Sequence, residues 1–300
     1  MNYHQAVMVE ECITGLDIDP DGIYVDATFG GGGHSMAILE RLDGGKLFGF
    51  DQDEDVVRNI EAVGRSNFTF IPVNFRFMKK YLRLNGVNNV DGILADLGVS
   101  SYQIDTPGRG FSTRFDAELD MRMDQGAELT AKKVINTYDE ASLQRILGQF
   151  GEVRNAKTLA SVIVKVRNQN PINTINQFKQ VISGLVPARQ KNQYLAQVFQ
   201  ALRIEVNKEL EALEALLNQS SDLIRTGGRL VVISYHSLED RLVKNFMNKG
   251  AVHGEPRKDF YGNLLRSFKP LVKKPVTPSL LELNNNPRSR SAKLRIAERV

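Results

Sequence analysis

Apolar positions in the first hundred residues come in short, nearly unbroken runs: Ile23 to Ala27, Lys46 to Phe50, Phe68 to Val73 and Asp91 to Leu97. Each run ends in a polar or glycine-bearing turn, and stretches with helical spacing lie between them. Strands buried on both faces need continuous apolar runs rather than alternation, so this rhythm predicts a parallel sheet covered by helices. From Thr130 to Val186 only helical signals appear, such as Val134, Leu143, Ile146 and Leu147, then Leu159, Val162, Ile163 and Val166. At Tyr194 one long amphipathic helix is predicted, with Val198, Leu202, Val206, Leu210, Leu213 and Leu217 on its stripe and an end near Thr226-Gly227-Gly228. Arg229 to Tyr235 resumes the strand pattern, and Leu294, Ile296 and Ala297 alternate with Lys293, Arg295 and Glu298 as a final strand would.

The fold class this implies is α/β: an open, mostly parallel Rossmann-like sheet with an inserted all-helical subdomain. The expected boundaries are a first sheet part at 1–103, a helical insert at 104–193 and a second sheet part at 194–300. A chain of 300 residues, 42% of them hydrophobic, is long and apolar enough for such a core. A single cysteine, Cys12, excludes an internal disulfide, and four histidines without ligand spacing argue against a metal site. No apolar run nears 18 residues, and Glu10 and Glu11 interrupt the opening stretch, so a cytoplasmic chain with no membrane partner is expected.

Charge is unevenly spread. Residues 249–300 hold twelve lysines and arginines against four acidic residues, and residues 105–200 hold thirteen against nine; the remainder holds fourteen against twenty-two. A basic tail and middle segment on an acidic body suggest a polyanionic partner, although a merely solvated basic surface would give the same sums.

The most informative stretch is VDATFGGGGH, Val25 to His34. Glycines between a strand and a helix let a ligand approach the backbone, and the helix start offers free N–H groups. Neither standard fingerprint is met. The sixth position of G-x-G-x-x-G falls on Ser35 or Met36, and the only Gly-Lys pair, Gly45-Lys46, is followed by Leu47. Asp51 closes the second run, about 20 residues past the glycines, where a carboxylate can accept from ribose hydroxyls. Asp26 and Asp96 end two further strands. Any one of these aspartates could simply cap a helix. Together they disfavour a pyrophosphate and suit a ligand with an ammonium, a sulfonium and a free ribose, as in S-adenosylmethionine.

These residues, with LDMRMD (Leu119 to Asp124), FGEVRNAK (Phe150 to Lys157), ISYHSLEDR (Ile233 to Arg241), NPRSRSAKLRIAER (Asn286 to Arg299) and the opening His4 to Glu11, resemble the MraW/RsmH family over essentially the whole chain. The resemblance implies an S-adenosylmethionine-dependent methyltransferase acting on the exocyclic N4 amine of a cytidine in small-subunit ribosomal RNA. It implies cofactor contacts at Gly32, Gly33, His34, Asp51, Phe75, Asp96 and Gln103. Two departures stand out: Tyr102 occupies a position where the family usually has proline, and the region after Gly254 is shorter than in many relatives.

A cytosine amine is a poor nucleophile and must be positioned and relieved of a proton. Asp96 is the first candidate acceptor. Tyr102, Phe111 and Tyr235 offer stacking surfaces for the base, although core packing would also explain them. Ser237 and Asp240 have capping-box spacing, which leaves His236 as a second catalytic candidate that would relay a proton or bind RNA. Arg288 and Arg290 are candidate phosphate contacts. The expected partner is small-subunit ribosomal RNA or an assembling small subunit, with homo-oligomerisation left open. A nicotinamide-dependent oxidoreductase and a non-enzymatic RNA-binding assembly factor remain alternatives at this level.

Overall fold

The computed structural model describes residues 6–185, 188–256, 258–262 and 264–300, so His4 of the opening motif lies outside the described residues. The described chain forms two compact units, one of residues 1–98 with 210–300 and one of residues 99–209.

The first unit carries a seven-stranded sheet: β1 (Ile23–Asp26), β2 (Lys46–Phe50), β3 (Phe68–Ile71), β4 (Val90–Asp96), β5 (Ile224–Ser234), β6 (Phe268–Pro270) and β7 (Lys293–Arg299). Their order is β3-β2-β1-β4-β5-β7-β6. The first five strands run parallel; β7 runs antiparallel to both β5 and β6. The apolar runs explain themselves, because successive side chains enter opposite faces. On β4 and β5, Ile93, Ala95, Leu230 and Val232 pack on one face with Leu213, Leu217, Val243 and Phe246. Leu94, Val231 and Ile233 enter the other face with Cys12, Leu16, Ile38 and Leu39. Helices therefore cover both sides of the sheet, as the sequence pattern requires.

From β1 the chain proceeds outward through β2 to β3, and β4 then returns to the other side of β1. The β1–β4 boundary is the point where connections diverge and leave a crevice at the strand carboxyl ends. β5 begins five residues earlier than the apolar run indicated. Its register against β4 jumps from Val90↔Ile224 to Gly92↔Arg229, so the glycines at 227–228 lie in an irregularity within the strand, not before it.

The second unit is helical. Its core joins Leu119, Val134, Ile146, Leu159, Ile163, Phe178, Val198 and Leu202. The long helix expected from Tyr194 is two helices, Lys191–Asn207 and Glu209–Leu223, because Lys208 between them takes a left-handed conformation with φ 51°. This break moves the unit's edge from 193 to 209. The helix Lys191–Asn207 buries Tyr194, Leu195, Val198 and Phe199 among the insert's own side chains and belongs with them. Likewise Val99 to Gln103, expected in the first sheet part, lie in the helical unit.

Candidate active site

The carboxyl ends of β1, β2 and β4 carry Asp26, Asp51 and Asp96, as the sequence indicated. Asp26 is fully buried beneath the glycine turn. It accepts from the Thr28 N–H at 3.0 Å and from Ser35 Oγ at 2.7 Å, tying the strand end to the first turn of the helix Gly33–Leu39. Burial raises its pKa against these hydrogen bonds. Asp51 accepts from the Gly30 N–H at 2.8 Å and the Asp53 N–H at 2.9 Å. Burial outweighs both bonds and lifts its pKa to about 6.

The four glycines are not equivalent. Gly30 and Gly32 have φ of 48° and 77°, a region that disfavours side chains. A Cβ on Gly33 would lie 2.8 Å from that of Ala6. These three are accounted for by the protein's own geometry. Gly31 is different: its φ is not left-handed, and a Cβ there would meet nothing within 4 Å. Among the described residues no neighbour requires it to be small, whereas a ligand lying against the turn would. Beneath the turn, Phe29 is buried against Phe68 and Phe70 and fixes the position of the loop.

Asp96 sits within a cluster that the sequence revealed only in part. Its N–H donates to Thr28 Oγ1 at 2.7 Å, and Tyr235 donates its hydroxyl to Oδ1 at 2.8 Å. Oδ2 lies 3.8 Å from Nδ1 of His34, beyond hydrogen-bond reach. The other nitrogen of His34, Nε2, is 2.9 Å from the Val7 carbonyl, which can only accept, so Nε2 carries a proton. Burial pushes the Asp96 pKa to about 6, opposed by His34 and by the Tyr235 hydrogen bond; its side chain keeps 21% exposure, and solvent moderates the shift. The phenol of Tyr235 is pushed well above its ordinary range by burial and by Asp96. Tyr235, expected as a stacking surface, thus uses its hydroxyl to orient a carboxylate.

Phe75 follows β3 in a short turn of helix, Phe75–Phe77, half-buried against the sheet core. Asn74 positions it by accepting from the Arg76 N–H at 2.8 Å and donating to Gln52 at 2.8 Å. In the helical unit, Gln103 is buried and closes a capping box: its Oε1 accepts from the Ser100 N–H at 3.0 Å, and its own N–H donates to Ser100 Oγ. Neighbouring Tyr102 is 44% exposed. Phe111 packs against the helical core beneath Arg109.

The capping reading at His236 needs correction. His236 is itself the N-cap of the helix Ser237–Lys249, and Glu239 completes the box, not Ser237 with Asp240. Glu239 accepts from the Tyr235 N–H at 2.9 Å, while Nδ1 of His236 accepts from the Glu239 N–H at 3.4 Å. Asp240 instead pairs with Arg295 at 2.7 Å and Lys293 at 3.5 Å. Nε2 of His236 is buried and, although 3.2 Å from Glu239 Oε1, has no aligned hydrogen-bond partner among the described residues. Arg288 and Arg290 lie on the short helical turn Pro287–Ser291 before β7, with Ser289 buried between them and Arg290 exposed.

No helix among the described residues is long and apolar enough to cross a membrane. Comparison with known proteins extends over the whole chain. "Ribosomal RNA small subunit methyltransferase H" of Cytophaga hutchinsonii is 58% identical over 297 residues, covering 99% of both chains. The protein of the same name from Flavobacterium johnsoniae is 54% identical, covering 100% of this chain and 99% of its own. A solved rRNA methylase from Streptococcus thermophilus covers 100% of this chain and 99% of its own at 13% identity and a TM-score of 0.42, too distant to bear on fold or chemistry. The profile of the MraW methylase family matches residues 1–300, and with the strand-end aspartates and glycine turn in place, the chain belongs to that family.

Proposed function

We propose that this protein transfers a methyl group from S-adenosylmethionine to the exocyclic N4 amine of a cytidine in small-subunit ribosomal RNA. The observation that carries the reading is the glycine turn, open at Gly31 where no described residue lies within 4 Å of a Cβ, placed beside carboxylates at three strand ends. Burial raises both carboxylate pKa values, so a ligand that brings positive charge and hydrogen-bond donors is favoured there. A sulfonium, an ammonium and ribose hydroxyls supply both, whereas a pyrophosphate would add repulsion.

When bound, S-adenosylmethionine supplies an electrophilic methyl on sulfur. Gly32, Gly33 and His34 hold the ligand at the helix start, Asp51 accepts from the ribose hydroxyls, and Phe75 packs on the adenine. Gln103 is a further cofactor contact that the family resemblance implies. Asp96 Oδ2, which Tyr235 leaves unoccupied, accepts a hydrogen bond from the cytidine amine and takes its proton as the nitrogen becomes positive. Tyr235 is a positioning residue that keeps Oδ1 engaged. His236 stands as the second catalytic candidate through Nε2. The helical insert, Tyr102, Arg288 and Arg290 contact RNA, and the work is cytoplasmic, where small subunits assemble.

The test is incubation of the protein with labelled S-adenosylmethionine and small-subunit ribosomal RNA, free or in particles, followed by nucleoside mass spectrometry. A gain of N4-methylcytidine is expected. Label in another nucleoside, or none in either substrate form, would refute the assignment.

A further inference from the structure

The stretch between the helix Ser237–Lys249 and β6 contains a feature that the cofactor chemistry does not use. The Gly262 N–H donates to the Asp259 carbonyl at 3.1 Å, and the Tyr261 N–H to Asp259 Oδ1 at 2.9 Å. Asp259 to Gly262 is thus a tight turn with an aspartate opening it and a glycine at φ 85° closing it. Its two corner positions, where side chains project outward, hold Phe260 and Tyr261. They are 97% and 85% exposed, and their rings meet edge to face with centroids 5.6 Å apart. An antiparallel bridge between Lys258 and Leu264 closes the base of the turn. Turn corners ordinarily carry glycine, proline or polar residues, and no described residue covers these rings.

The surrounding charge identifies what does. Residues 249–274 contain seven lysines and arginines against two acidic residues. Of these, Lys258 is exposed at the base of the turn and Lys269 on β6. Projecting aromatic faces among cations are the two components of single-strand nucleic-acid recognition: bases stack on the rings, and the backbone follows the positive charge. A protein partner would favour the rings but not the excess of lysine, which protein interfaces exclude from their centres.

We propose that the Phe260–Tyr261 turn is a stacking platform for unpaired bases of the RNA substrate, separate in the chain from the strand ends that would hold the cofactor. The inference rests on the reading of RNA as substrate. Stacking is not electrostatic, so loss of the rings lowers affinity at every salt concentration while leaving the salt slope unchanged; loss of a phosphate contact reduces the slope.

The chain has no tryptophan, so Phe260→Trp places a unique emitter on the turn. Titration with small-subunit ribosomal RNA is expected to quench its emission saturably. The double variant Phe260→Ser, Tyr261→Ser is expected to bind that RNA about tenfold more weakly, as stacking deletions do, with unchanged salt slope, melting temperature and S-adenosylhomocysteine affinity. RNA binding detected by anisotropy without quenching, with wild-type affinity in the serine variant, would overturn the proposal while leaving the methyltransferase reading intact. An emission change seen with ribosomal proteins but not with RNA would overturn it in favour of a protein partner. Quenching by RNA in a protein that transfers no methyl group would support the platform and refute the enzymatic reading separately.

Discussion

The helical unit and the strand ends of the sheet unit bury polar groups differently. In the helical unit each buried charge has protein partners. Glu205, 4% exposed, accepts from the Tyr138 hydroxyl and from Lys208, both at 2.8 Å, with Arg145 at 3.7 Å. Arg109 donates to the carbonyls of Arg122 and Met123. Burial would raise the pKa of Asp120, but the hydrogen bonds from Arg122 outweigh it and hold that carboxyl below its ordinary value. In the sheet unit, Asp51 and Asp96 are gathered with Asp26, and no lysine or arginine is paired with them among the described contacts. Their shifts run upward. Polar burial in the insert is matched by protein partners, whereas at the strand ends it shows as raised carboxylate pKa values.

The largest effect expected from this contrast comes from two glycines. Gly110 has φ 72°, and a Cβ there would come within 2.6 Å of the Glu118 carbonyl and 2.8 Å of the Asp120 nitrogen, both backbone. Gly110→Ala should destabilise the insert by about 3 kcal/mol, a strained conformation adding to a clash that cannot rotate away. Gly31→Ala should change stability by less than about 1 kcal/mol, because the native backbone accommodates alanine. The same variant should weaken S-adenosylhomocysteine binding at least about tenfold, as the ligand loses its close approach. Denaturant titration and calorimetry read the pair. A Gly31→Ala protein that binds normally would show that the turn does not touch the ligand.

Next in size is Asp51→Ala, expected to cost cofactor affinity about 2 kcal/mol while the fold survives, since two hydroxyls lose a charged acceptor. Acidity should produce a related loss in the wild type. With a pKa near 6, Asp51 becomes protonated as pH falls through that value and ceases to accept from both hydroxyls, so calorimetric affinity should decline there. Ligand-free stability has the opposite sign. A folded-state pKa raised above the ordinary 3.8 means that folding stability falls as pH rises from about 4 to about 6, and Asp51→Asn should flatten that fall. For Asp120 in the insert, whose pKa is lowered, stability is instead lost as pH falls through the acidic range. A wild-type affinity independent of pH between 5 and 8, tested across about that span, would separate Asp51 from the ribose.

Most of the sheet was legible because parallel strands demand unbroken apolar runs, and the aspartates at their ends are conspicuous breaks in those runs. Asp26, Asp51 and Asp96 were found this way, and β2 matches its run residue for residue. Other features depend on backbone conformation or on contacts between distant segments. Nothing in the apolar stripe from Val198 to Leu217 signals a left-handed Lys208, because the stripe continues in phase across it. The Tyr235–Asp96 hydrogen bond joins residues 139 apart, and only the pairing of β4 with β5 brings them together. Gly31 could not be distinguished from its three neighbours until their φ angles and surroundings were known.

The smallest expected effect sharpens the contrast at a single residue, because His236 combines both kinds of polar burial. Nδ1 accepts from the Glu239 N–H as a helix cap, a structural task of the sort that fills the insert; Nε2 is buried without an aligned hydrogen bond among the described residues, 3.2 Å from Glu239 Oε1. The two roles separate by substitution. His236→Ala removes both and should cost about 1 kcal/mol of stability through the lost cap. His236→Asn keeps a side-chain acceptor at the N-cap, where asparagine is among the preferred residues, and should recover that stability. Turnover on RNA should fall in both variants, with cofactor affinity held within about twofold, because an N-cap asparagine offers nothing at the position of Nε2. If asparagine restores turnover together with stability, His236 acts through the cap alone, and Asp96 is left as the one group at this site that handles the proton.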